Sequence, residues 1–148
     1  MKKLLLTFIL SIFTFSCASR NYNNVEKIHF YDKIGNKIEL SNIYDILNNQ
    51  LKEQNINGKI IKSQIKEFKN DKSRKIVLIG ISKENNLNIG AELSNFKKGF
   101  KLNNYFTICN NCQTENKEIN IDYKDDNLIC KSKINSNCVK HSIAIIDN

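Results

Sequence analysis

Four cysteines, Cys109, Cys112, Cys130 and Cys138, crowd the last third of a 148-residue chain, and a fifth, Cys17, stands near its start. Thiols in this pattern support three chemistries: cross-linking, metal ligation or redox catalysis. Cross-linking fits an exported chain, because envelope and extracellular spaces permit oxidation, and an even count of four suits two disulfides. Each disulfide would contribute about 2–4 kcal/mol by restricting the unfolded chain. Four cysteines allow three pairings, and the spacing does not choose among them. Links that reach across strands are favoured over a Cys109–Cys112 ring, because a short ring closes off less chain entropy.

The two sharper chemistries each lack a part. A structural zinc site could draw on four thiolates, with His141 nearby. Ribbon-type sites use two close pairs, however, and Cys130 and Cys138 are well separated. Redox catalysis at Cys109-Asn110-Asn111-Cys112 needs a helix N-terminus after the motif to lower a thiol pKa. The following residues, Gln113 to Asn120, are polar and lead toward a strand.

Other catalytic groups are scarce. His29 and His141 are the only histidines. His29 reads as a strand residue beside Phe30 and Tyr31. His141 shares a strand face with Val139 and Ile143, where packing against the cysteines accounts for it. No serine sits in a nucleophile elbow and no glycine-rich loop is shaped for phosphate. Asp125-Asp126 lies in a turn signal, where solvated acids are the norm, and a calcium loop needs more oxygen ligands. The chain is expected not to be an enzyme and to carry no cofactor or metal.

Cys17 belongs to a different pattern. Lys2 and Lys3 precede an apolar run, Leu4 to Phe15, broken only by Thr7, Ser11 and Thr14. The run is shorter than the roughly 20 residues that span a bilayer and has the make-up of a signal peptide. It lacks the polar face of an amphipathic helix. It ends at Thr14-Phe15-Ser16-Cys17, which resembles a bacterial lipobox, where a small residue precedes a cysteine that is acylated and becomes N-terminal. Such boxes usually carry Leu, Val or Ile at the place of Thr14. Cleavage after Ala18 by ordinary signal peptidase is the rival, and lipidation of Cys17 is favoured because the apolar run stops there. More than one acyl chain anchors stably. The expected organisation is a signal peptide over 1–16, a lipidated polar tether over 17–25 and one domain over 26–148.

The domain has to hold those cysteines in place, and its pattern is mostly that of strands. Ile28, Phe30, Ile38 and Leu40 flank a turn at Gly35-Asn36. Ile43, Ile46, Leu47 and Leu51 recur at helical spacing; Ser41 or Asn42 would cap this helix, Asp45 would fall in its first turn, and Asn57-Gly58 would end it. The helix is thus expected over about 42–56. Residues 59–70 fit helix or strand. Ile76 to Ile81 is a buried central strand, and Leu87, Ile89, Ala91 and Leu93 alternate with polar residues, which predicts one wet face. Turns at Lys97-Lys98-Gly99 and Lys124 to Asn127 separate further strands, and Val139 to Ile146 closes the chain. The fold class is α+β: one helix on a largely antiparallel sheet, with cysteine-linked C-terminal hairpins.

A strand into Cys109-x-x-Cys112, a hairpin, Cys130, a polar loop and then Cys138-Val139-Lys140-His141-Ser142 resembles small lipoproteins of Bacteroidota, many of which end in a cysteine-rich hairpin. The resemblance covers roughly residues 74–146 and implies an exported lipoprotein without bringing an activity. His141 interrupts the Lys-Ser pair of that family's tail. Net charge is +8, falling to +6 without Lys2 and Lys3; it comes almost wholly from lysines spread along the chain. Spread charge favours a solvated surface over a nucleic-acid groove. The expected partners are a membrane through the lipid, and an envelope protein or surface ligand, with no nucleic acid. The expected location is the cell envelope, at the outer membrane, with the side left open.

Overall fold

The computed structural model describes residues 22, 24–69, 73–83, 86–112, 119–132 and 137–144. Cys17, the lipobox-like segment and the end of the last expected strand lie outside them. The chain enters through a single 3-10 turn, Val25–Lys27. It then forms β1 (Phe30–Tyr31), β2 (Lys37–Ile38), α1 (Leu40–Glu53), β3 (Ile60–Lys69), β4 (Arg74–Ser82), β5 (Asn88–Phe96), β6 (Gly99–Asn110), β7 (Ile121–Lys124), β8 (Asn127–Cys130) and β9 (Val139–Ala144). The main sheet runs β2-β1-β6-β5-β4-β3, and β9 pairs with β6 as well. All pairings are antiparallel except β1 with β6. This is the α+β architecture expected from the sequence.

The helix differs from expectation at both ends. It starts at Leu40 after Glu39, which makes no side-chain cap. Ser41 and Asn42 therefore lie inside the first turn, and Asp45 lies beyond it. At the other end Asn55 adopts φ 53°. The Ile56 amide donates to the Leu51 carbonyl and the Asn55 amide to that of Lys52, both at 2.9 Å. This is a Schellman ending, with Leu51 and Ile56 buried beside it. Asparagine tolerates the left-handed region, so the helix stops before Gly58 is reached.

Ile43, Leu47 and Leu51 press onto one face of the sheet, against Leu78, Ile89 and Ile108. Asn48 clasps the edge strand: its Oδ1 accepts the Ile60 amide at 2.8 Å. Residues 60–69 are strand throughout. Gly80 lies under the helix, where a Cβ would stand 2.8 Å from Ile60 and 2.9 Å from Leu47. Gly80→Ala is therefore expected to cost about 1–3 kcal/mol through overpacking, read as a lower urea midpoint. An unchanged midpoint would mean that the helix yields freely.

The second face is also covered. Strands β7 and β8 form a separate two-stranded sheet, whose Ile121 and Leu128 join Phe68, Val77, Ile79 and Ile81 in a second core. Gly90 permits the close approach: a Cβ there would lie 3.1 Å from Ile121 and 3.2 Å from Leu128. The expected wet face of β5 is thus corrected. Asn88 and Gly90 are buried and Glu92 is half-buried, and of the polar alternates only Ser94 is exposed.

Candidate functional site

The cysteines sit where the small hairpin meets the main sheet. Cys109, near the end of β6, bonds Cys130 at the end of β8 (S–S 2.06 Å), and Cys112 bonds Cys138 just before β9 (1.94 Å). Both links join separate elements, as the chain-entropy argument favoured. In an antiparallel pair, residues directly opposite share a face; Cys109 stands opposite Asn88 and Lys140, on the side that the hairpin covers. The backbone secures the junction: the Cys112 amide donates to the Asn86 carbonyl at 3.1 Å. Asn120 Nδ2 donates to the Cys112 carbonyl at 2.7 Å.

This arrangement decides what the sulfurs can do. Cys109 and Cys112 are both fully buried, and each is bonded to a different partner, so the Cys109-x-x-Cys112 pair is not a disulfide that a substrate thiol can reach. The Sγ atoms of Cys109, Cys112 and Cys130 nevertheless lie within 4.8 Å of one another. That span suits a thiolate metal site if both links were reduced. Asn88, 1% exposed, borders the cluster, and its Oδ1 and Nδ2 have no hydrogen-bond partner among the described residues.

The histidines stay apart from this cluster. His29 is exposed; its backbone carbonyl accepts the Phe100 amide at 2.9 Å. His141 stands opposite Ile108, and Ile143, two residues on, packs with the helix-side core. The expected packing of His141 against the cysteines is corrected by that register, which gives the cysteine side to Lys140 and Ser142.

Ionic pairs tie the periphery. Lys75 Nζ meets Glu92 at 2.8 Å, and that hydrogen bond holds the ammonium above the usual lysine range against the opposing effect of burial. Burial pushes the Glu67 carboxyl up, but hydrogen bonds from Lys69 and Arg74 outweigh it and leave the group below its ordinary value. Burial likewise opposes, and the Lys131 ammonium at 2.8 Å overcomes, in lowering Asp122. Asp32 is lowered in the same balance, here by the Asn36, Gly35 and Ile34 amides of its turn and by the Asn36 side chain.

Hollows also open on the surface of the described residues. One of about 510 Å³ opens where the chain enters the fold, lined by Tyr22, Lys27, Ile28, Lys97, Lys98, Gly99 and Phe100. A smaller one of about 240 Å³, mostly apolar, lies between α1 and the middle of β6, around Ile38, Ile46, Leu102 and Phe106. Another of about 240 Å³ runs along β9 beside Glu92, Lys140 and Ser142. Among the described residues, none of these three gathers a nucleophile, a base and an orienting acid. Among the described residues no helix is long and apolar enough to cross a membrane.

No family model matches the chain, and no curated protein or solved structure matches it. The functional reading therefore rests on the chain's own residues.

Proposed function

We propose that this chain is an envelope lipoprotein, anchored in the outer membrane through acylated Cys17, whose domain is a non-catalytic binding or structural module. The observation that carries this reading is the combination of two cross-element disulfides with an apolar run that stops at a cysteine. Disulfides persist in the compartments that an exported chain enters, and a lipobox-like ending supplies an anchor there. The absence of a catalytic set among the described residues supports a module that binds an envelope protein or a surface ligand. The acyl chains supply the contact with the membrane, and nucleic acid is not among the partners.

The test is the intact mass of the protein from the membrane fraction, alkylated with and without prior reduction. The expected result is a chain beginning at Cys17 with a lipid-sized increment and no alkylated thiol until reduction. A chain without the increment removes the anchor. The closeness of the three sulfurs supports a second reading, a thiolate zinc site: four thiols free without reduction, with bound metal, would put that reading first.

A further inference from the structure

The groove at the end of the sheet where the chain enters is rimmed by lysines, while two acids of that end, Glu67 and Asp126, are engaged by Arg74 and Ser73. Tyr22 packs edge-on against Phe100, ring centroids 5.5 Å apart, and beside them opens the groove rimmed by Lys27, Lys97 and Lys98. All three lysines are exposed, and among the described residues no carboxylate lines the groove. Glu26 is exposed next to Lys27 but lies outside that lining. Lys97 is held at the rim, its ammonium 5.2 Å from the Tyr31 ring centroid and 5.0 Å from that of Phe96. Gly99 presses this turn against the chain leading into β1, since a Cβ there would overlap the His29 carbonyl. The lysines are thus displayed by a tight junction of β1 and the β5–β6 turn.

We propose that this end of the sheet rests on the membrane, with Lys27, Lys97 and Lys98 against the phosphates of anionic phospholipids in the leaflet that holds Cys17. The inference rests on Cys17 being the anchor. Tyr22 follows Cys17 by only five residues, a segment that spans at most about 17 Å when fully extended. An acylated sulfur therefore keeps Tyr22 and the groove beside it close to the headgroups. At that range, lysines are drawn to a negatively charged surface. Strand β6 runs from Gly99 at this end to Asn110 beside the cysteines, roughly 35 Å at the usual rise of a strand. The disulfide-linked end is then turned away from the bilayer.

The experiment installs the anchor chemically, so that its result does not depend on acylation in the cell. The chain from Cys17 onward, with both disulfides intact, is coupled through the Cys17 thiol to a maleimide phospholipid. The vesicles are phosphatidylcholine alone or phosphatidylcholine with about one third phosphatidylglycerol. A membrane-impermeant acetylating reagent then labels the lysines, and peptide mass spectrometry reads the rates. On the anionic vesicles Lys27, Lys97 and Lys98 are expected to label at least about threefold more slowly than on neutral ones. Lys59 and Lys83, at the far end of the sheet, are expected to label equally on both, and high salt is expected to abolish the difference. In Lys27→Glu/Lys98→Glu, Lys97 is expected to label at the neutral-vesicle rate. Equal rates on both vesicles, protection spread evenly to Lys59 and Lys83, or protection of Lys97 that survives the double substitution would each overturn the proposal. A missing acyl group in the cell-derived protein, read by mass, would instead remove the anchor reading.

Discussion

Replacing Cys109 and Cys130 together by alanine is expected to destabilise the domain by about 3 kcal/mol, the loop-closure value for a link that spans 21 residues. Replacing Cys112 and Cys138, 26 residues apart, is expected to cost about as much. The expectation is strengthened by how the hairpin is held. Strands β7 and β8 hydrogen-bond to each other in their ladder, so the second layer is attached by packing of Ile121 and Leu128 on the sheet, by the sulfurs, and by side-chain hydrogen bonds from Ser73 to Asp126 and from Asn120 to the Cys112 carbonyl. Losing both links would remove a large share of the roughly 5–15 kcal/mol typical of a whole domain. Urea denaturation of each double variant measures the cost, and amide exchange shows where it falls. Faster exchange is expected first over residues 121–130, then in the β4 strand that the hairpin covers. A loss under about 1 kcal/mol for both pairs would show that apolar packing alone holds the second layer.

The same second layer explains which parts of the fold the sequence disclosed. Strand alternation, the turns at Lys97-Lys98 and Lys124 to Asn127, and the apolar stripe of α1 are local patterns, and each appears where its residues imply. Residues 60–69 were ambiguous for a physical reason. Ile65 joins the helix-side core and Phe68 the hairpin-side core, so a strand buried on both faces shows a three-residue spacing that imitates a helix. A register irregularity between Ile60 and Lys62 adds to the effect. The polar positions of β5 misled for a related reason. What covers Asn88 and Gly90 lies some thirty residues further along the chain, and glycine gives no hydrophobic signal that it is buried.

The cysteine site was legible in composition but not in geometry. Count and export pattern pointed to disulfides, yet the pairing depends on the hairpin lying over β6, which only the tertiary arrangement determines. Asn88 carried no signal at all; an asparagine in an alternating strand reads as solvent-facing. Its burial opposite Cys109, with Asn120 buried against Cys112, puts two amide side chains at the cysteine junction. The junction therefore depends on cross-links and backbone hydrogen bonds more than on apolar area, which is why the disulfide variants are expected to act there first.

Cys17→Ser is expected, once its signal peptide is cleaved after Ala18, to move the protein almost completely from the membrane fraction to the soluble fraction, because the substituted chain has no thiol at the lipobox position to acylate. The size of the effect follows from the anchor. One acyl chain gives marginal, reversible binding, and each buried methylene contributes about 0.8 kcal/mol, so a second chain makes the attachment stable. Three lysines on the surface contribute far less, about 1 kcal/mol each near an anionic surface, and salt screens them. They can orient an anchored domain but cannot hold a free one. Thr14 gives the experiment a second arm, because it stands where a lipobox usually has Leu, Val or Ile. Thr14→Leu is expected to raise the acylated fraction, seen by mass, wherever Thr14 slows the reaction. If a Cys17→Ser chain that has lost its signal peptide, read by mass, stays with the membrane in high salt while its disulfides remain intact, the acyl anchor is not what holds this chain, and neither the lipobox reading nor the lysine surface as proposed survives.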